Sequence, residues 1–204
     1  MFENIQDHFP QVGWIRFKID VNDANKDYCH KTQLLRKSAD LSFTSTTISY
    51  TLADEFTDMD KEMIVAIRFY DSDGDLVGLG DTLTWTVVNG VLIFYNYKGD
   101  VISSISGVTT ITFDYVYVPD TLTAESDESE IPSQFHDALI HNLLSKYYSK
   151  FKVDSLDRGG NLVRMVNLGQ SNFHNGKYKE LIKDGWRYAH QGVIASAQIK
   201  ANQF

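Results

Sequence analysis

Apolar and polar positions alternate early in the chain. Across residues 12–21, Ile15, Phe17, Ile19 and Val21 fall on one side and Arg16, Lys18 and Asp20 on the other, a period of two that predicts a half-buried strand. Residues 22–31 are polar and turn-rich, residues 32–39 predict a short helix, and the Ser/Thr-rich run 42–50 predicts an edge strand or an exposed arm. Met63-Ile-Val-Ala-Ile-Arg-Phe-Tyr70 is nearly continuous in apolar and aromatic residues and leads through Asp71-Ser-Asp-Gly-Asp75 into Leu76-Val77, which reads as strand, turn, strand. Residues 82–88 and 91–97 flank Asn89-Gly90, the pair that most readily takes the two positive φ angles of a type I′ turn, so a hairpin is predicted there. Further strand is expected at 101–105 and at 108–118, where Ile111, Phe113, Tyr115 and Tyr117 alternate with Thr110, Thr112, Asp114 and Val116.

Pro119 ends this series, since proline cannot donate to a ladder. The acidic stretch that follows has little to bury and is expected to be a solvated linker. Pro132 suits the first turn of a helix. Phe135, Leu139, Leu143, Tyr147 and Phe151 then recur every four residues, predicting one amphipathic helix over about 132–152. Asp157-Arg-Gly-Gly160 breaks the pattern, and 162–166 admits either a short helix or an extended arm. A terminal helix is expected to open at Asn175-Gly176, with Tyr178, Leu181, Ile182, Trp186, Ala189, Val193 and Ala197 on one stripe and Lys179, Lys183 and Arg187 opposite. Gly185, Ala189, Gly192 and Ser196 form a small-residue row on it, which favours close approach of the 132–152 helix or of a neighbouring subunit. The expected fold class is α+β: an antiparallel sheet or sandwich over 1–119, an acidic linker over 120–131 and a helical hairpin or bundle over 132–204.

Charge sharpens this division. Residues 1–130 hold 9 Lys+Arg against 22 Asp+Glu, and residues 131–204 hold 10 against 5, so net charges of -13 and +5 make up the -8 of the 204-residue chain. Such a split suits head-to-tail stacking of acidic on basic surfaces. Cys29 is the only cysteine, which excludes an internal disulfide and suggests a reducing compartment. The start of the chain has no basic region followed by an apolar core, and no apolar window reaches spanning length, so neither a signal peptide nor a membrane span is expected.

Candidate chemistry is sparse. Asp71-Ser-Asp-Gly-Asp75 begins like a calcium loop but has Leu76 and Thr82 where glycine and glutamate belong, so a turn is the better reading. His136 and His141 are five apart on one helix and do not form an i,i+4 metal pair. Cys29-His30 lies in a polar stretch without the spacing of a nucleophile and base, and Gly78-Leu-Gly80 lacks the rest of a dinucleotide fingerprint. No enzyme activity and no cofactor or metal are expected. The terminal basic residues are interleaved with Glu180 and Asp184, which argues against sequence-specific DNA recognition.

The order of parts, a strand block, Tyr115-Val-Tyr-Val-Pro119, an acidic spacer, Glu130-Ile-Pro132 and the helix beginning Phe135-His-Asp-Ala-Leu-Ile-His, together with the Trp85 to Tyr97 hairpin before it, resembles the head-to-tail adaptor, or connector ring, proteins of tailed bacteriophages. The resemblance runs from about Met63 to the C-terminus and is nearest to podovirus-like collar rings, including those of crAss-like phages. It implies a non-enzymatic virion protein of the neck, assembled in the host cytoplasm. The family forms homo-oligomeric rings, commonly of twelve subunits, beneath the portal protein, against adjacent tail or ring proteins and around the DNA channel. Phe135, Leu139, Leu143, Tyr147, Gly185, Trp186, Ala189 and Gly192 are then the expected interface or helix-packing residues. Lys179, Lys183 and Arg187 are the expected weak contacts to DNA or an acidic surface. The alternative is a β-sandwich module that binds carbohydrate or a receptor through Trp14, Trp85 and exposed tyrosines.

Overall fold

The computed structural model describes residues 2–42, 49–52, 58–77, 83–102, 105, 107–124, 126–151, 153–156 and 162–201; within its helices and strands, the side chains of 2, 60–62, 153–156, 162–165 and 192–201 are not described. The fold is α+β with antiparallel sheets. In chain order the elements are α1 (Phe2–His8), α2 (Trp14–Thr32), β1 (Arg36–Ser42), β2 (Tyr50–Thr51), β3 (Met59–Tyr70), β4 (Leu83–Val88), β5 (Val91–Asn96), β6 (Thr110–Tyr117), a 3-10 turn Ser133–Phe135, α3 (His136–Lys150), β7 (Val153–Leu156), β8 (Leu162–Met165) and α4 (Leu168–Ala201). No helix among the described residues is long and apolar enough to cross a membrane.

Two compact units result, and their boundary corrects the expected one. Leu35–Val118 forms a β unit, whereas Met1–Leu34 joins Pro119–Phe204 in a helical unit. The cause is α2. Residues 12–21 were expected as a strand, yet Trp14–Thr32 is a 19-residue helix. Its buried positions Phe17, Val21, Ala24 and Tyr28 recur at helical spacing, while Ile15 and Ile19, which complete the apparent alternation, are 73% and 51% exposed. The expected short helix over 32–39 is likewise replaced: Gln33, at φ 54°, closes α2 with its N–H on the Cys29 carbonyl, and β1 begins at Arg36.

In the β unit, sheet order β1-β6-β3 faces sheet order β2-β5-β4 across one core of Tyr50, Leu52, Phe69, Leu92, Phe94, Ile111, Phe113 and Tyr115. Phe69 and Phe94 meet edge to face across it, 5.6 Å between centroids. The hairpin of β4 and β5 turns at Asn89 (φ 52°) and Gly90 (φ 75°), both left-handed as the sequence requires. Asp71 makes the next turn back: its Oδ1 accepts the N–H groups of Asp73 and Asp75, each at 2.9 Å, the hydrogen bonding of a turn. Val101 contributes only a single bridge to Tyr95. The run 43–48 and the Gly78-Leu-Gly80 fragment lie outside the described residues.

In the helical unit, α3 and α4 run antiparallel, with Ser171 donating to the Ser145 carbonyl near one end and Phe135 against Tyr188 near the other. α2 packs on both. Two boundaries move. α4 starts at Leu168 and not at Asn175-Gly176: Asn167 Oδ1 accepts the Gln170 N–H at 3.0 Å, a side-chain cap that satisfies an orphan donor of the first turn. Residues 162–165 form strand β8, paired with β7.

The acidic segment is not a free linker. Asn22 of α2 donates to the Leu122 carbonyl (3.0 Å) and accepts the Leu122 N–H (2.9 Å), and Ser129 donates to Asn25 Oδ1 (3.1 Å). Between those points Asp127 Oδ2 accepts the N–H groups of Thr123 and Ala124 and the Thr123 hydroxyl, which holds its carboxyl below the usual range. The polar residues that made α2 look like a loop are thus the ones that fasten this segment down.

Candidate interaction surface

The residues expected at an interface or in helix packing divide sharply by burial. Phe135 (7% exposed), Leu139, Leu143 and Tyr147 (1% exposed) are core residues of the helical unit. Phe135 stands beside Tyr28 of α2 and Tyr188 of α4. Tyr147 packs edge-on against Phe9 and donates its hydroxyl to the buried Asp20 carboxylate at 3.0 Å, Asp20 being held in turn by Arg16 Nε at 2.6 Å. Burial and that carboxylate push the Tyr147 phenol well up, so it stays a donor. These four side chains are spent inside the chain and are not available to a neighbouring subunit.

Gly185 has the close packing its row predicted, but against α2. A methyl at that position would overlap the Tyr28 hydroxyl and come within 2.8 Å of Thr32 Cγ2. The Tyr28 hydroxyl donates to the Leu181 carbonyl at 3.2 Å, and its phenol is raised chiefly by burial. Ala189 is half-buried, and Gly192 lies in α4 beyond the side chains that the structure describes.

What remains on the surface is one face of α4. Lys179, Lys183 and Arg187 recur at i, i+4, i+8 and are all exposed. Trp186, 44% exposed, stacks on His190 at 4.2 Å and 21°, and His190 is fixed by the Trp186 carbonyl and by Gln33 Oε1. Leu168, Phe173 and Tyr188 are exposed on the same helix. Arg187 contacts Asp184 at 3.3 Å and Lys177 contacts Glu180 at 2.9 Å, and hydrogen bonding from Lys177 lowers the Glu180 carboxyl. Among the described residues Lys179 and Lys183 have no ion-pair partner. The face therefore combines a small net positive charge, Lys177, Lys179, Lys183 and Arg187 against Glu180 and Asp184, with an aromatic ring already immobilised by stacking.

Lys179 also borders an open cleft of about 250 Å³ with Asp27, Lys31, Asn142, Lys146 and Tyr178. Burial pushes the Asp27 carboxyl up, but hydrogen bonds from Lys31 and Tyr178, both at 2.7 Å, outweigh it and hold Asp27 below the usual range. The cleft's carboxylate is thus already satisfied by the chain itself.

Elsewhere, Cys29 is buried in α2, and His136 bonds the Ile131 carbonyl at 2.8 Å. Among the described residues no three His, Cys, Asp or Glu side chains converge as a metal centre. Trp14 lies in α2 of the helical unit, whereas Trp85 pairs with the buried Phe94 in the β4/β5 ladder yet stays 40% exposed, and Tyr97, in the turn after β5, is 74% exposed. Trp14 and Trp85 therefore belong to different units. No protein-family model matches the chain, and no curated protein matches it in sequence.

Proposed function

We propose that this chain is a non-enzymatic structural subunit of a phage head-to-tail connector: a homo-oligomeric ring that sits beneath the portal protein in the virion neck and surrounds the DNA channel, in rings of about twelve by the family resemblance. The observation that carries the reading is α4. It has 34 residues against 15 in α3 and 19 in α2, so at 1.5 Å per residue it is about 50 Å long and outruns α2 by about 20 Å and α3 by about 30 Å. A helix that exceeds its own bundle, with a basic and aromatic solvent face, supports side-by-side packing on a neighbouring copy. In this reading the β unit, with 5 Lys+Arg against 12 Asp+Glu, is offered to the next ring or the tail. Lys179, Lys183 and Arg187 supply a loose, salt-screened contact to an acidic surface or to passing DNA.

Sedimentation velocity with negative-stain imaging tests the proposal, on the chain alone and mixed with portal protein from the same source. Rings in either sample are expected; a chain that stays monomeric in both overturns it. The triple variant Lys179→Glu, Lys183→Glu, Trp186→Ala is expected to weaken assembly by about 10- to 100-fold while its Tm stays within a few °C of wild type, because all three positions are surface sites.

A further inference from the structure

Three helices of the helical unit meet at a cluster of imidazoles around one phenol. Nδ1 of His141 on α3 lies 2.8 Å from Nδ1 of His174 on α4, with the rings 5.0 Å apart and tilted by 34°. His174 stacks flat on Tyr148, at 5.5 Å and 2°, and the Tyr148 hydroxyl hydrogen-bonds with Nδ1 of His8 on α1 at 3.3 Å. Phe173 covers the edge of His174.

The chemistry of that contact limits how many protons it can hold. A neutral imidazole has one N–H and one lone pair; an imidazolium has two N–H groups and none. An Nδ1 to Nδ1 hydrogen bond needs a donor on one side and a lone pair on the other. The neutral pair satisfies this with one Nδ1–H tautomer and one Nε2–H tautomer, and the singly protonated pair satisfies it with an imidazolium donating to an imidazole. Doubly protonated, the pair sets N–H against N–H at hydrogen-bond distance and adds two like charges. We propose that His141 and His174 are an acid-sensitive clasp that ties α4 to α3, and through Tyr148 and His8 ties α1 as well, and that opens when both imidazoles are protonated.

The surroundings bias the clasp toward staying closed near neutral pH. The charged and titratable groups facing the pair are Asp137 and Tyr148 from α3, Lys177 from α4 and His8 from α1. Burial holds both histidines below the ordinary value; Lys177 adds to this at His141, and His141 and His8 add to it at His174, with Asp137 alone pulling the other way. The folded pair therefore binds fewer protons than the unfolded chain at mildly acid pH. Its stabilisation is complete above the ordinary histidine value and falls as pH drops through that value toward the lowered folded one. The carboxyls of Asp27, Asp58, Asp114 and Glu180 are held below their usual range and titrate beneath this window.

The full-length chain is melted at about pH 7.5 and about pH 5, as wild type and as His141→Gln/His174→Gln, and the histidine Cε1 protons are titrated by NMR. Wild type is expected to melt lower at the acid pH, and the double variant to lose at least about half of that difference. Amides in the first turns of α4 and in α1 are expected to lose protection, relative to their intrinsic exchange rates, at acid pH in wild type only. In His141→Gln, His174 should move back toward the ordinary value. An unchanged pH dependence in the double variant, or independent titration of His141 and His174 at the ordinary value in wild type, overturns the clasp. If the double variant does not fold, the wild-type titration decides alone.

Discussion

Gly185 sits where α4 crosses α2, and its missing side chain is what lets the Tyr28 hydroxyl reach the Leu181 carbonyl, an acceptor already engaged by the helix's own i to i-4 ladder. Two effects oppose one another at this position. Alanine favours a helix over glycine by about 1 kcal/mol, but a methyl here overlaps a buried hydroxyl and crowds Thr32, and overpacking of this kind costs about 1–3 kcal/mol. The second wins because Tyr28 and Thr32 are themselves fully enclosed and cannot swing away. Gly185→Ala is therefore expected to lower Tm by several °C, at about 2–4 °C per kcal/mol for a chain of this size. Tyr28→Phe removes the overlapping oxygen, so the double variant should melt above Gly185→Ala alone. Equal melting of the single and double variants would mean that the contact is not what fixes this crossing.

At the scale of elements, β6 joins β1 to β3 through a charged pair: Arg68 donates two hydrogen bonds to Asp114, both at 2.7 Å, and Ser38 of β1 donates to the same carboxylate. Arg68 first, against the upward push of burial, then Ser38, keep the Asp114 carboxyl below its usual range. The folded carboxylate binds fewer protons than the unfolded one, so its contribution is full above the ordinary aspartate value and is lost as pH falls through the lowered one. A double-mutant cycle with Arg68→Gln and Asp114→Asn should give a coupling of about 1 kcal/mol at neutral pH, modest because solvent screens a pair this exposed, and a shrinking one as acid protonates Asp114. A coupling that persists in acid would refute the ionic account. This sheet was legible from sequence because alternation in 108–118 and the Asn89-Gly90 turn are local signals. α2 was not, because Ile15, Phe17, Ile19 and Val21 satisfy a period of two within a short window, and only the continuation to Ala24 and Tyr28 restores the helical period. Its Asn22 and Asn25 resemble turn residues until their partners, about a hundred residues away, are known. The Phe135 to Tyr147 stripe reads from sequence as apolar and suits either helix packing or a subunit interface; the choice turns on α2, whose short-window alternation hides the helix that sets Tyr28 and Asp20 against it. Asn167 was the missed local signal, a cap with Gln170 three residues on.

At the scale of the molecule, the β unit is an insertion in the helical one, and its two chain crossings lie side by side. The Tyr117 N–H bonds the Leu35 carbonyl at 3.2 Å, and Arg36 pairs with Val116 at the start of the β1/β6 ladder. The charge division moves with the boundary: the β unit carries -7, while the helical unit, with 14 Lys+Arg against 15 Asp+Glu, is nearly neutral, so positive charge is a property of the α4 face and not of a whole half. Because β1 and β6 already hold the ends together, the folded insertion acts on the helical unit as a short loop. Left unfolded, a loop of about 80 residues would cost the helical unit about 2–3 kcal/mol more in closure entropy than a four-residue turn. Replacing residues 36–117 by a short Gly-rich turn should therefore leave a helical unit that folds cooperatively and melts within a few °C of the transition it shows in the full chain, followed by circular dichroism. Residues 35–118 should fold separately, as their own core implies. Loss of cooperative folding in the excised helical unit would show that the insertion contributes more than closure. The same variant separates two ways of building the proposed ring: if α4 packs on α4 of the next copy, the excised protein still assembles, with the Lys179/Lys183/Trp186 dependence intact. If it folds but remains monomeric while the full chain forms rings, the β unit belongs to the ring interface, and the assignment of assembly to the helical unit fails.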